Sequence, residues 1–224
     1  FRVVDDAAAC GAALYLGGGE PLLRPDFFDV VAHAKARGLV LGFTTNGTCL
    51  ERSGAAALVR LAVDRVTFSV HGLARGAGGR RAGPAYRQAV AAIRQTAACR
   101  RQQQAGKPRI TVNLTVGDGL TPGLREVLGE VMADTAQEAD EYRIHHQWFV
   151  TEPELRAHQA ATRRLLGCTA GGAAAHLVAH DRLAAAATLA AELASVRGWP
   201  KVSCFPSLSR RALAQFYAEC AFAR

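Results

Sequence analysis

The sequence has no closely spaced cysteines: its six cysteines lie far apart, and neither CxxC nor CxxxCxxC occurs among the 224 residues. This spacing excludes a local zinc knuckle and a complete local cluster-binding loop. Long apolar runs are also missing, since none approaches the roughly 20 residues that cross a membrane. The first residues lack the order of a signal peptide. We therefore expect a cytoplasmic protein without a membrane partner.

Acidic residues are few: the sequence has 19 aspartates and glutamates but 27 lysines and arginines, which gives a formal charge of +8. Such a charge attracts nucleic acids or acidic ligands. The arginines are scattered among alanine-rich helical stretches, however, so we expect no nucleic-acid partner. Methionine is rarer still: Met132 is the only one and the sequence begins at Phe1, so we expect the natural start to lie upstream.

Strand-like runs rich in β-branched or aromatic residues alternate with helical patterns. The runs cover 12–16, 39–45, 65–70, 109–116 and 142–150, and the helices 25–37, 52–62, 84–104, 121–138 and 152–166. This alternation predicts an α/β fold with a parallel sheet, either doubly wound or a (β/α) barrel. Residues 1–172 form this unit. Residues 173–224, with helices at 181–197 and 207–222 around a strand-like 201–205, are predicted to be a helical C-terminal connector.

Polar or glycine-rich signatures follow each predicted strand. They are GGGEP at 17–21, TTNGT at 44–48, SVHG at 69–72, TVGDG at 115–119 and HHQW at 145–148. The carboxyl ends of parallel strands meet at one edge of the sheet, which is the active-site face of such folds. The sequence therefore predicts one site at this edge, with the glycine-rich residues 72–83 as a mobile loop over it.

Several of these residues have both a binding and a structural interpretation. Gly17, Gly18 and Gly19 would let a ligand approach the backbone, and Glu20 suits a ligand ammonium group, yet a glycine turn with a solvated Glu20 explains them equally well. The Asn46-Gly47 pair favours a structural turn. Ser69 and His71 alternate along one strand end, so they present a hydroxyl and an imidazole to the same side.

The segment YLGGGEPLLRPDFFDVVAHAKARGLVLGFTTNGTCL resembles radical S-adenosylmethionine (SAM) proteins, in which a GGEP loop, a helix beginning near Pro-Asp and a strand ending in TNG occur in this order. The resemblance continues through VDRVTFSVHG, AYRQAVAAIR and KPRITVNLTV, and covers residues 1–150. It implies a partial (β/α) barrel, typically of six strands, of which about five core strands are present here.

The resemblance also implies a set of cofactor-binding residues. Gly18, Gly19 and Glu20 match the loop that holds the methionyl amino group of SAM, and Ser69 matches a position near the ribose and carboxylate. Asn113 lies on the strand that supports the adenosine, and His145 matches a position near adenine. The full predicted set is Gly17, Gly18, Gly19, Glu20, Asn46, Ser69, His71, Asn113 and His145, without a metal ligand.

The activity implied by the resemblance depends on a cluster that this sequence cannot hold. In the intact family a CxxxCxxC loop binds a four-iron four-sulfur cluster, and an electron from a donor such as flavodoxin or ferredoxin cleaves SAM. The resulting 5′-deoxyadenosyl radical abstracts hydrogen from a peptide or small-molecule substrate. Here CxxxCxxC is absent and would lie upstream of Phe1. We therefore expect the intact parent to be an enzyme and the 224-residue piece to be inactive.

Three alternatives stay open. WPKVSCFPSLSRRALAQFYAEC resembles the connector before a SPASM-type auxiliary-cluster domain with Cys220 as its first cysteine, although an ordinary helix cysteine is an equal interpretation. A metal-dependent hydrolase barrel would use His71, His145 and an upstream ligand. A non-catalytic scaffold would bind SAM or a peptide without reaction.

Overall fold

The computed structural model describes residues 1–71, 73–76, 79–116, 123–146, 152–168 and 182–205, together with residues 207, 209, 211 and 212. The helices are α1 (Arg2–Ala9), α2 (Phe27–Ala36), α3 (Arg52–Arg60), α4 (Pro84–Gln102), α5 (Leu124–Asp134), α6 (Glu152–Leu166) and α7 (Arg182–Ser195), with a 3₁₀ turn at Pro21–Leu23. The strands are β1 (Leu14–Leu16), β2 (Leu41–Thr45), β3 (Arg65–Val70), β4 (Leu73–Gly76), β5 (Gly79–Ala82), β6 (Arg109–Val116), β7 (Glu141–His146) and β8 (Val202–Phe205).

Six strands form one parallel sheet in the order β1-β2-β3-β6-β7-β8. Helices separate the successive strands of this sheet along the chain. The predicted α/β class with a parallel sheet is therefore confirmed. Among the described helices, none is long and apolar enough to cross a membrane.

The sheet contains one strand more than the five predicted. The sequence assigned the strand-like residues 201–205 to a connector, but β8 pairs with β7 from Tyr142↔Val202 to His145↔Phe205. Helix α7 also packs on α5, where the Gly123 amide donates to Glu192 Oε1 over 3.0 Å. The last strand thus belongs to the sheet. The predicted boundary at 172/173 lies outside the described residues, as does most of the predicted helix at 207–222.

The glycine-rich segment after β3 was predicted to be a loop. The structure instead contains an antiparallel hairpin, in which β4 pairs with β5. Repeated glycines conceal the strand pattern, because they carry no side chain whose alternation could be detected.

Alternation along the strands separates a core face from an inner face. In β3, Val66, Phe68 and Val70 are buried in the hydrophobic core that the helices cover. Successive side chains of a strand point to opposite faces, so Arg65 and Ser69 lie on the other side. The same alternation in the other strands gives the sheet a helix-covered outer face and a distinct inner face.

Two aspartates each accept a hydrogen bond from a backbone amide near the amino end of a neighbouring strand. Asp64, just before β3, accepts a hydrogen bond from the Leu41 amide of β2 over 2.8 Å. Asp140, just before β7, accepts one from the Ile110 amide of β6 over 2.7 Å. Each carboxylate therefore satisfies an amide at the beginning of the neighbouring strand and helps to fix the register between the two strands.

Candidate functional site

The sheet register arranges the inner-face side chains in four rows, which we number from the amino to the carboxyl ends of the strands. The first row is Tyr15, Gly42, Arg65 and Arg109; the second is Thr44, Thr67, Thr111 and Glu141; the third is Ser69, Asn113, Arg143 and Ser203; the fourth is Thr115, His145 and Phe205. None of these residues is aliphatic, whereas closed (β/α) barrels fill their interior with layers of branched aliphatic side chains. The inner face is therefore suited to a polar ligand.

Hydrogen bonds hold the second row in place. The Tyr15 hydroxyl lies 2.7 Å from Thr44 Oγ1 and donates to Thr67 Oγ1 over 3.1 Å. Farther along the row, Glu141 accepts hydrogen bonds from Ser203 Oγ over 2.7 Å and from Arg143 over 3.0 Å. Burial raises the pKa of Glu141, but the bonds from Ser203 and Arg143 outweigh burial and leave the pKa below its usual value. Glu141 is consequently ionised at neutral pH.

The third row brings two predicted site residues together. Ser69 and Asn113 are direct register partners in β3 and β6, and Asn113 is also the partner of Arg143. Asn113 Oδ1 is buried and has no hydrogen-bond partner among the described residues. A buried acceptor without a donor costs about 1–3 kcal/mol. A ligand that donates a hydrogen bond at this position would remove that cost.

The glycine loop at residues 17–19 faces open space. A Cβ built on any of these three glycines would meet no atom within 4 Å, and Gly18 has a φ of +121°. Packing within the described residues therefore does not require glycine at these positions, and only Gly18 needs it for its backbone conformation. The open backbone is consistent with the close approach of a ligand.

The carboxylate of Glu20 joins the glycine loop to the turn after β2. Its Oε1 accepts from Thr45 Oγ1 over 2.8 Å and from the Leu22 amide over 3.2 Å, while Oε2 accepts from the Asn46 amide over 2.7 Å. These three bonds occupy most of the roughly four acceptor positions of a carboxylate. Glu20 thus fixes the loop, and its predicted contact with a ligand ammonium stays a prediction.

The predicted residues differ in their position relative to the site and in their hydrogen-bond partners. Glu20 contacts Thr45, the register partner of Phe68, so Glu20 and Ser69 lie at the same carboxyl edge of the sheet. The Asn46 side chain instead accepts two hydrogen bonds from Thr48 within its own turn, over 2.8 and 2.7 Å. His71 is exposed just beyond β3.

His145 lies in the fourth row, where its ring centroid is 5.4 Å from that of Phe205. Among the described residues, no group of three or more histidines, cysteines, aspartates or glutamates could hold a metal ion. The parts of the TVGDG and HHQW signatures at 117–119 and 147–148 lie outside the described residues.

Sequence reasoning missed most of the inner face. The residues not singled out include Arg65, Thr67, Thr111, Glu141, Arg143, Ser203 and Phe205. The polar residues at every second position of RVTFSV and RITVNLTV could have identified two of the strands' inner faces.

Comparisons with known proteins bear on the family and the fold of the chain. The family model described as "Radical SAM superfamily" matches residues 2–131. The tungsten-containing aldehyde ferredoxin oxidoreductase cofactor-modifying protein of Pyrococcus furiosus is 41% identical over 73 residues, which cover 31% of this chain and 20% of that protein. The mycofactocin maturase MftC of Mycobacterium ulcerans is 39% identical over 70 residues, or 28% of this chain and 19% of that protein.

A PqqA peptide cyclase of Ruegeria pomeroyi is 38% identical over 87 residues, which cover 37% of this chain and 23% of that enzyme. Among solved structures, Streptococcus suis SuiB bound to SAM has a TM-score of 0.59 at 10% identity, over 94% of this chain and 46% of that chain. At this identity the likeness shows the fold alone. The matched regions span about a fifth of these curated relatives and about half of SuiB.

Proposed function

Because the chain belongs to the radical SAM superfamily, we propose that the carboxyl edge of its inner face binds SAM as part of an enzyme that abstracts hydrogen from its substrate. The buried, unpartnered acceptor of Asn113 is the observation that carries this proposal. Ser69, the register partner of Asn113, and the open glycine loop after β1 support it, since they lie toward the same carboxyl edge of the sheet.

Each part of SAM would meet a chemically suitable group. The open backbone at residues 17–19 would hold the methionyl ammonium, and the charge of Glu20 favours a cation nearby. The hydroxyl of Ser69 would donate to the carboxylate. Asn113 Oδ1 would accept from a ribose hydroxyl, which is the donor it lacks. His145, whose ring lies tilted beside that of Phe205, would form one wall for the adenine.

The family's iron–sulfur cluster would supply the electron that cleaves SAM, but the residues of this chain do not fit the cluster. In the sequence the cysteines are far apart, and in the structure Cys10 and Cys49 are exposed on separate elements whereas Cys99 is buried. Cluster binding would require cysteines beyond those of this sequence. The contribution of the chain is to bind and orient SAM and substrate.

A peptide is the substrate class that the relatives favour. The matched curated proteins include PqqA peptide cyclases, and SuiB has also been solved with its precursor peptide SuiA, in a structure with a TM-score of 0.50 to this chain. We propose a peptide substrate for the whole protein, and an auxiliary SPASM cluster stays a further proposal.

The binding assignment can be tested with SAM and single variants. We expect Asn113→Ala to weaken SAM binding by roughly fivefold or more, the order of one hydrogen bond to a ligand. Gln102→Ala, at the exposed end of α4, is the matched control and should bind SAM like the original chain. Equilibrium dialysis with labelled SAM measures both. Equal affinity of Asn113→Ala and the original chain would contradict the assignment.

A further inference from the structure

Two arginines stand side by side at the amino end of the inner face. Arg65 begins β3, Arg109 begins β6, and the two are direct register partners. Neighbouring strands are about 4.8 Å apart, and like charges placed directly opposite each other destabilise a sheet. Such a pair gains stability when an anion lies between the guanidinium groups.

The acids nearby do not neutralise this pair. Among the described residues of the four rows there are three guanidinium groups, those of Arg65, Arg109 and Arg143, and one carboxylate, that of Glu141. That carboxylate binds Arg143 at 3.0 Å and Ser203 at 2.7 Å, and lies 3.6 Å from Arg109. Arg65 has no ion pair within the described part of the chain. The inner face therefore carries an excess of positive charge.

The first row is also accessible to ligands, and an aromatic ring bounds it on one side. The side chain of Arg109 is 53% exposed, so solvent and ligands reach it. On the other side of Arg65, Gly42 leaves a gap that the ring of Tyr15 covers: a Cβ on Gly42 would lie 3.1 Å from two ring atoms of Tyr15 and 3.4 Å from Arg65 Cβ. A ligand group at Arg65 would thus have an aromatic ring on one side and a second guanidinium on the other.

We propose that Arg65 and Arg109 bind a carboxylate group of the substrate at the amino-terminal mouth of the inner face. This inference rests on the proposed function, because the same inner face would hold SAM at its other end. Guanidinium groups match carboxylates through paired N–H donors, which gives the site both affinity and orientation.

A pair of short peptides tests the charge selectivity. The probes are dansyl-Gly-Gly-Glu-Gly-Gly-amide and the same peptide with glutamine in place of glutamate, measured by fluorescence anisotropy at low salt. We expect the original chain to prefer the glutamate peptide. Arg65→Gln combined with Arg109→Gln should reduce that preference by roughly tenfold, the order of a lost charge-assisted hydrogen bond. Circular dichroism checks that the variant is folded.

Arg60→Gln combined with Arg94→Gln is the matched control, because it removes the same two charges from exposed positions on α3 and α4. It should keep the preference of the original chain. Equal binding of the two peptides by the original chain, or an unchanged preference in the double variant, would overturn the proposal.

Competition with glutarate distinguishes two sources of the carboxylate. Displacement of the glutamate peptide by glutarate supports a site that takes free small acids, and resistance to displacement with the preference intact supports an acidic peptide residue. SAM binding by the same samples separates this inference from the proposed function. A chain that prefers the glutamate peptide but does not bind SAM contradicts only the proposed function. A chain that binds SAM without the peptide preference contradicts only the carboxylate site.

Discussion

Asp64 connects three segments through one carboxylate. It accepts from Lys35 Nζ of α2 over 2.6 Å, from Lys107 Nζ before β6 and from the Leu41 amide of β2. Burial raises the pKa of Asp64, but these hydrogen bonds together outweigh burial and lower the pKa to about 2. Since the folded pKa lies below the unfolded value of about 3.9, the carboxylate contributes stability above about pH 4, and this contribution is lost as the pH falls toward 2.

We therefore expect Asp64→Asn to lower the free energy of unfolding by about 2 kcal/mol at pH 7, following the size of the pKa shift. The difference from the original chain should shrink as the pH is lowered from 4 toward 2. Urea unfolding followed by circular dichroism at several pH values measures both effects. Asp6→Asn, at an exposed position on α1, is the control and should stay within about 0.5 kcal/mol. A pH-independent difference would show that the charge of Asp64 is not responsible.

At the level of single residues, the sequence predicted where Glu20 lies but not how its carboxylate is bound. Glu20 was predicted at the edge of the sheet and is found there, but the sequence could not show that its carboxylate is bound by Thr45 and Asn46. Those donors are 25 and 26 residues away, and only the pairing of β1 with β2 brings them close. Arg65 was overlooked because an isolated strand arginine usually marks a solvated face.

Among the elements, the turn after β2 depends on one glycine. Gly47 has a φ of +74°, and a Cβ on it would lie 3.1 Å from the Ala89 Cα of α4. Alanine at this position would meet both backbone strain and a contact with backbone that cannot move independently. We expect Gly47→Ala to lower the free energy of unfolding by about 2 kcal/mol and to loosen the turn that holds Glu20.

Gly106→Ala is the control for this substitution. A Cβ on Gly106 would meet no atom within 4 Å, and no positive φ is required there. Alanine should therefore be neutral or stabilise the fold by up to about 1 kcal/mol, because it restricts the unfolded chain. Thermal unfolding of both variants makes the comparison, and equal midpoints would contradict the role assigned to Gly47.

Local patterns predicted the elements themselves more reliably than their partners. The run at 201–205 was recognised as strand-like, but its place beside β7 depends on residues about 60 positions away. Helix α7 adds contacts that no local pattern contains, since Arg125 Nη1 of α5 donates to the Ser195 carbonyl over 2.6 Å and its guanidinium lies 5.0 Å from the Trp199 ring.

At the scale of the whole molecule, the parallel sheet followed from strand–helix alternation, whereas the polar character of its inner face did not. Period two predicts that Arg65, Thr67 and Ser69 share a face, but it does not say whether that face meets solvent, a helix or a cavity. Only the register across β3, β6 and β7 shows that polar residues form continuous rows. These rows give the inner face the polar surface on which the proposed binding site rests, while the helix-covered face contains the hydrophobic core.

A prediction for the entire chain follows from the proposal that it binds SAM but does not hold the cluster. The family's reaction needs three cysteines in CxxxCxxC, and this sequence has no such motif. After anaerobic reconstitution with iron and sulfide and addition of dithionite, we expect the 224-residue chain to release no 5′-deoxyadenosine from SAM. The same samples should still bind SAM in equilibrium dialysis, because the glycine loop, Ser69 and Asn113 are all present. A PqqA peptide cyclase treated in parallel serves as the positive control. Release of 5′-deoxyadenosine above the protein-free background would mean that separated cysteines of this chain assemble a competent cluster, and the division between binding and electron transfer would then be wrong.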